Sequence, residues 1–208
     1  MSFSREPGAE LNAGRPTVPR RAATVVLLRG GSERLEVLMV QRNPAARFMG
    51  GAWVFPGGAV SAQDGEGQAG LRSAAVRELE EEAGIALVPG TELVAYARWI
   101  TPAELHIRFD TWFYLARAPA EAEPAVDESE VVDFCWISPA DALLAGEAGQ
   151  LDVVFPTVKQ LEQLAGFASA EELIDYARGR EVLPVEPRVT GSGEMARIVL
   201  PGEPGYDG

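Results

Sequence analysis

Cysteine and histidine are almost absent: 208 residues contain one of each, Cys135 and His106. A single thiol cannot close an internal disulfide, and no imidazole–thiolate set is available for zinc. Both residues are read as structural, and a cytoplasmic setting is expected. Long apolar runs are missing too, since none approaches the roughly 18–20 residues of a membrane span. The N-terminus lacks the apolar core of a secretory signal. Its Arg5, Arg15, Arg20 and Arg21 are interleaved with Pro7, Gly8, Gly14, Pro16 and Pro19, which break any amphipathic targeting helix. Positive charge is scarce: 18 Lys and Arg face 31 Asp and Glu, a formal net charge of -13. That balance argues against nucleic acid and against an anionic membrane as partners. It leaves room for a small anionic substrate, because a bound divalent cation reverses the local sign.

What is present suffices for a core, with 47% hydrophobic residues, so a disordered chain is excluded. Residues 1–19 are expected to be a flexible tail, 20–180 a folded domain, and 181–208 a Pro- and Gly-rich extension packing on it. Thr24–Leu28 and Leu35–Val40 read as strands with a turn at Arg29-Gly30-Gly31-Ser32 between them. Ala52–Phe55 is a third strand, running into a loop at Pro56-Gly57-Gly58 where the backbone must bend. Leu71–Ala83 is helical, with Leu71, Ala75, Leu79 and Ala83 at intervals of four and Gly84 as its cap. Strands are expected at Leu93–Trp99, Arg108–Leu115 and Val131–Ile137. Helices are expected after Ser138, after Pro156 and from Ser169 to about Ala177, and Arg197–Leu200 reads as an edge strand. Strands in succession mixed with a few helices give an α+β class with a mixed sheet.

The most informative stretch is Arg77-Glu78-Leu79-Glu80-Glu81-Glu82-Ala83-Gly84-Ile85. Glu78, Glu81 and Glu82 are spaced i, i+3, i+4, so one helix face carries all three carboxylates. A solvated acidic face is the plain alternative. Two local penalties oppose it: like charges at i, i+4 repel, and the C-terminal end of a helix favours cations. A hard divalent cation relieves both, because such ions take clustered carboxylate oxygens. The upstream glycines leave space for a backbone carbonyl to approach an ion and for a diphosphate to lie beside it. Strand, glycine loop and carboxylate-faced helix together suit metal-assisted attack on phosphorus.

These residues resemble the Nudix family. Arg77 to Ile85 is similar to the distal half of the Nudix box, R-E-U-x-E-E-x-G-U with U apolar, at every fixed position. Phe55-Pro56-Gly57-Gly58 resembles the loop that opens the box. The proximal half departs from it: 18 residues separate Gly58 from Arg77 where the family pattern has 13. Counted back from Arg77, the position where the pattern has a glutamate is Ala69; Glu66 and Asp64 are nearby acids out of register in that count. Leu38–Pro44, Phe48–Gly58, Trp99–Pro102, Arg108–Thr111 and Glu130–Asp133 with Trp136 are similar to the subgroup of coenzyme A diphosphatases of the Nudix-motif-19 type, whose members carry insertions within the box.

The resemblance implies an α/β/α sandwich around a mixed sheet and a hydrolase that uses Mg2+ or Mn2+. It implies Glu78 and Glu82 as metal ligands, Glu81 as a third, direct or through water, and the Gly58 carbonyl as a fourth. It gives Arg77 the role of orienting a box glutamate, and places Gly57 and Gly58 against the diphosphate. The general base is either a box glutamate such as Glu81 or an acid of a later loop, where Asp127, Glu128 and Glu130 are candidates. Arg42, Arg47 and Arg108 are candidate phosphate ligands through bidentate hydrogen bonds. Trp53, Trp99, Phe109 and Trp112 read as core rather than as stacking platforms. The expected substrate is a small nucleoside diphosphate derivative, with coenzyme A or an acyl-CoA leading. ADP-ribose or a dinucleotide, or a catalytically weak nucleotide-binding module, are the alternatives. Homodimers are common in the family, so one is an open expectation here.

Overall fold

Residues 22–28, Ala-Ala-Thr-Val-Val-Leu-Leu, are buried without a break, the pattern of a strand covered on both faces. The structure, a computed structural model, describes residues 11–12, 14–30, 34–46, 48–126, 128–191 and 197–206. In chain order the strands are β1 (Arg20–Arg29), β2 (Glu36–Arg42), β3 (Trp53–Val54) and β4 (Gly57–Ala59). After a single 3-10 turn (Ala62–Asp64) comes α1 (Gly67–Ala83), then β5 (Val94–Ile100), β6 (Phe109–Arg117) and β7 (Val131–Ile137). Helices α2 (Pro139–Glu147), α3 (Phe155–Leu164) and α4 (Ala170–Arg178) follow, and β8 (Pro184–Val185), β9 (Arg188–Thr190) and β10 (Arg197–Val199) end the chain.

The sheet runs β3-β2-β1-β6-β5-β8, with β4 paired to β1 and β7 paired to β2. It is mixed: β1 and β6 are parallel, as are β5 and β8, and the remaining pairs are antiparallel. Because strand side chains alternate, Val25 and Leu27 of β1 face α1, where they meet Leu71, Ala75 and Leu79. Val26 and Leu28 face the opposite layer, with Leu161 and Leu164 of α3 and Leu173 of α4. The result is an α/β/α sandwich. Burying a side chain such as Leu79, which is fully inaccessible, stabilises the fold by about 2–3 kcal/mol. Among the described residues no helix is long and apolar enough to cross a membrane.

Local signals act where they were read. Ser138 Oγ accepts from the Asp141 N–H at 3.1 Å and Ser169 Oγ from the Glu172 N–H at 3.2 Å, capping α2 and α4. Gly84 ends α1 at φ 65°, a left-handed conformation that glycine adopts without strain.

Three expectations need correction. Gly57-Gly58 is not a free loop after a strand: it forms β4, in register with Thr24 and Ala23 of β1. Helix α1 begins at Gly67 rather than Leu71. Arg21 Nη2 donates to the Gly67 carbonyl at 2.7 Å, so a tertiary contact holds a glycine-containing first turn that propensity alone disfavours. Arg197–Val199 pairs with β9 in a separate hairpin and not with the main sheet.

Of the expected tail, residues 1–10 and 13 lie outside the described residues. Farther on, Leu11 bridges to Leu105, and the Asn12 N–H donates to the Glu104 carbonyl at 2.7 Å. Residues 31–32 of the expected first turn also lie outside.

Candidate active site

Helix α1 crosses β1 and β4, which sets the carboxylates of its last turns against the two glycines. The Gly57 N–H donates to Glu82 Oε2 at 2.8 Å. A Cβ on Gly58 would fall 2.5 Å from both Glu78 carboxylate oxygens. Only a residue without a side chain permits that approach. On Gly57 a Cβ would lie 2.6 Å from the Ala23 carbonyl and the Thr24 Cα, so this glycine serves the close packing of β4 on β1.

Glu78 and Glu82 are 9% and 3% exposed, which removes the solvated-face alternative for both. Glu80 and Glu81 are exposed. Burial pushes the Glu82 carboxyl up to about 7, against the Gly57 N–H and the Arg42 guanidinium, which favour its charged form. Burial also raises Glu78, with Arg77 opposing and the charges of Glu81 and Glu130 adding to the rise. Glu130 raises Glu82 in the same way, so its charge is felt by both buried carboxylates.

Arg77 fixes the other side of the cluster. Its Nη1 donates to Glu78 Oε1 at 2.8 Å and to Glu81 Oε2 at 2.7 Å. Its Nε and Nη2 donate to the two oxygens of Asp64 at 2.9 and 3.0 Å, and Nη2 also donates to the Ala59 carbonyl at 3.2 Å. Asp64 is buried and held well below the usual carboxylate range, chiefly by its hydrogen bonds from Arg77. Of the two out-of-register acids, Asp64 thus reaches Arg77, while Glu66 sits exposed at the start of α1.

Arg42 brings its Nη1 within 3.8 Å of Glu82 Oε1 and donates from Nε to the Phe48 carbonyl at 3.3 Å. Arg108 is engaged elsewhere. Its three guanidinium nitrogens donate to the Thr101 carbonyl at 3.0 Å, the Thr17 carbonyl at 2.7 Å and Glu186 Oε1 at 2.6 Å. Arg47 and Asp127 lie outside the described residues. Asn43 lies in the segment that carries the subgroup resemblance, but its role is legible only in three dimensions. Its Nδ2 donates to the carbonyls of Glu128 and Ser129 at 3.1 and 3.0 Å, and its N–H donates to the Glu130 carbonyl at 2.8 Å. Asn43 thereby clamps the loop that carries Glu130. Trp53 and Trp99 are buried core residues, while Phe109 and Trp112 are half-buried. Cys135 is half-buried and its thiol is pushed up to about 11, mainly by burial.

Among the described residues no group of three His, Cys, Asp or Glu side chains is gathered closely enough to be a ready-made metal cage. Arg77 holds Glu78 and Glu81, and Gly57 holds Glu82. The donors nevertheless fit a hard divalent cation. Two buried carboxylates share one site, and Glu82 Oε1 faces its nearest cation, Arg42, only beyond hydrogen-bond length. Burial is the chief cause of the rise in both acids, and neighbouring carboxylates add to it, an imbalance that a divalent cation would relieve.

A mixed-sheet sandwich with a glycine strand abutting buried carboxylates on one helix suits a class of metal-assisted hydrolase. The particular family is shown by comparison: the NUDIX domain model matches residues 18–158. The chain belongs to the Nudix family and is a hydrolase of pyrophosphate bonds in nucleoside diphosphate derivatives, a family that generally uses divalent metal ions. It is 27% identical to nudix hydrolase 7 of Caenorhabditis elegans, whose own assignment is provisional, over 88% of this chain and 73% of that one. It is 25% identical to the human acyl-coenzyme A diphosphatase NUDT19, over 99% of this chain and 83% of that one. A crystal structure of a NUDIX hydrolase from Alicyclobacillus acidocaldarius superposes with a TM-score of 0.69 at 26% identity, covering 80% of this chain and 98% of the other.

Proposed function

We propose that this enzyme hydrolyses the diphosphate of coenzyme A or an acyl-CoA, releasing an adenosine bisphosphate and a 4′-phosphopantetheine. The observation that carries the chemistry is the pair of buried carboxylates, Glu78 and Glu82, set against Gly57 and Gly58. The substrate reading is supported by the similarity to the human acyl-coenzyme A diphosphatase, which extends over nearly the whole chain.

Glu78, Glu82, Glu81 and the Gly58 carbonyl are the ligands for magnesium or manganese. When bound, the ion supplies neutralisation of diphosphate charge and acidification of water. Arg77 keeps Glu78 and Glu81 on the metal side of the helix. Gly57 and Gly58 leave space for the diphosphate to lie along β4, and Arg42 supplies a guanidinium toward its oxygens. Glu130, clamped by Asn43, takes the proton of the attacking water. A P–O bond to that water forms as the bond to the bridging oxygen breaks, and the departing phosphate carries the electron pair. Arg108, whose nitrogens already have protein partners, is left out of this scheme.

The test is a panel of coenzyme A, acetyl-CoA, ADP-ribose and diadenosine polyphosphates with magnesium or manganese, products identified by mass. Adenosine bisphosphate and phosphopantetheine should dominate. Faster cleavage of ADP-ribose or a dinucleotide, or no cleavage at all, would overturn the reading.

A further inference from the structure

Strand side chains alternate, so Arg20 and Thr24 of β1 share the face opposite α1 with Val26 and Leu28, while Arg21 lies on the α1 face and ties to Gly67. Helices α3 and α4 cover Val26 and Leu28. Nearer the N-terminal end of β1, Phe48 and the β6 residues Phe109 and Thr111 are only half-buried. The missing side chain of Gly57 opens on this same face, since a Cβ there would run into Thr24 Oγ1. Phe48 forms a wall beside it. Its ring packs on Phe109 with centroids 5.6 Å apart and planes at 51°. Its carbonyl accepts from Nε of Arg42, the residue whose Nη1 approaches Glu82. The loop carrying Phe48 is closed on itself: the Gly51 N–H donates to the Arg42 carbonyl at 3.0 Å and the Ala52 N–H to the Met49 carbonyl at 3.1 Å. Met49 is held at φ 51°, a left-handed conformation that a residue with a side chain keeps only where its surroundings fix it.

We infer that Arg20 recognises the 3′-phosphate on the adenosine of the substrate, with the adenine laid on Phe48, an inference that rests on the proposed coenzyme A reading. Arg20 is exposed, and its guanidinium lies 5.8 Å from the centroid of the Phe109 ring, which keeps it beside Phe48. Arg42, Arg77, Arg98, Arg108 and Arg117 all reach carboxylates. Among the described residues Arg20 pairs with none. In a chain with 31 acidic and 18 basic residues, such a cation is free for an anion from outside. Its place suits a second phosphate rather than the diphosphate itself. Ala23 is the register partner of Gly58, and Arg20 stands three residues before Ala23, about 10 Å along the strand. One ribose, carrying the diphosphate at C5′ and a phosphate at C3′, bridges that separation together with the length of an arginine side chain. A purine gains from stacking on an aromatic face, and a guanidinium binds a phosphate through paired N–H donors. An adenosine diphosphate without the 3′-phosphate would leave Arg20 in water.

The experiment compares ligands that differ only in that phosphate. Binding of adenosine 3′,5′-bisphosphate and of AMP is measured by calorimetry in magnesium buffer, and steady-state kinetics are run on coenzyme A and dephospho-coenzyme A. The wild type should bind the bisphosphate about tenfold or more tighter than AMP, the range expected of hydrogen bonds to a charged group. KM should favour coenzyme A by a similar factor at nearly equal kcat, because the contact is the same in the ground and transition states. Arg20→Met should bring both ratios to within about twofold of unity. Arg21→Met removes the same charge from the opposite face and should leave the ratios as they are. Phe48→Leu should weaken both nucleotides about fivefold or more and preserve their ratio. An Arg20→Met variant with wild-type ratios overturns the inference, and so does an equal loss in Arg21→Met, which would mean a diffuse field. A Phe48→Leu variant that binds both nucleotides normally overturns it too. A wild type that cleaves coenzyme A but binds the two nucleotides equally sinks the inference and leaves the substrate reading standing. If coenzyme A is not cleaved while the bisphosphate preference holds and is lost in Arg20→Met, the substrate reading falls and the 3′-phosphate site stands.

Discussion

The side chain that Gly58 lacks would occupy space held by the carboxylate of Glu78: its Cβ would lie 2.5 Å from both oxygens. Gly58→Ala therefore has a local effect, because the obstructing atoms are the end of a flexible side chain. Glu78 should rotate away, lowering metal-dependent turnover about tenfold or more while the melting temperature changes little. Gly57→Ala differs, since its Cβ meets the backbone of Ala23 and Thr24. Overpacking of that kind costs about 1–3 kcal/mol. Turnover assays and thermal melts on the two variants separate the roles. A fully active Gly58→Ala would mean that Glu78 needs no fixed position.

Glu82 makes the metal-free protein sensitive to pH. Its carboxyl is raised by burial to about 7 from an ordinary 4.5. The folded state then holds a proton that the unfolded state has already released between these values. Stability accordingly falls as pH rises from about 4.5 to 7, by about 3 kcal/mol if the whole shift is expressed. Glu78, also raised, acts in the same direction. Asp64, which is lowered, acts oppositely and only below its ordinary value of 3.8. Glu82→Gln should remove most of the dependence, so the variant is the more stable protein at pH 8 and gains nothing at pH 4.5. Urea unfolding in chelator across this range is the check; equal slopes for the two proteins would refute it.

The carboxylate pair was legible in the sequence because helix periodicity is local: three glutamates at i, i+3, i+4 must share a face. Which of them leave water was not, since burial of Glu78 and Glu82 is set by β4, and β4 exists only through pairing with β1. For the same reason Gly57-Gly58 reads as a bend in isolation and is a strand in context. The start of α1 at Gly67 depends on Arg21, 46 residues away, and no propensity encodes that bond. The mixed-sheet class was accessible from strands in succession with a few helices, and the α/β/α sandwich from the family resemblance. Asp64 reads as out of register when counted back from Arg77, but counted forward from Gly58 it stands where the pattern has its acid, and the extra residues fall between it and Arg77.

Asn43 holds the Glu128–Glu130 segment through three hydrogen bonds, two from its amide nitrogen and one from its backbone. Asn43→Ala removes the two bonds its amide donates to that segment, together with the one its Oδ1 accepts from the Ala45 N–H at 2.9 Å, and leaves β2 intact. If Glu130 is the base, kcat should fall about tenfold as its position relaxes, with KM nearly unchanged, since base catalysis contributes about a hundredfold or more when well placed. Hydrogen exchange at residues 128–130 should quicken in parallel. Faster exchange with unaltered kcat would remove Glu130 from the reaction.

Arg108 poses the sharpest choice between a ligand of the substrate and a tie within the fold. Arg108 is 8% exposed and its guanidinium joins three separate parts of the chain, Thr17, Thr101 and Glu186. Hydrogen bonds to a charged group contribute about 1.5–3 kcal/mol each when a buried partner is left behind. Glu186 is 41% exposed in its side chain and can rehydrate, so the two carbonyls dominate the loss. Arg108→Met should lower stability by about 2–4 kcal/mol. For a chain of this length that corresponds to a drop of about 5–15 °C in melting temperature. KM for the diphosphate substrate should stay within about twofold, since the lost contacts are to protein and not to phosphate. The opposite pattern, an unchanged melt with KM raised about tenfold, would restore Arg108 to the phosphate-binding role its sequence position suggests.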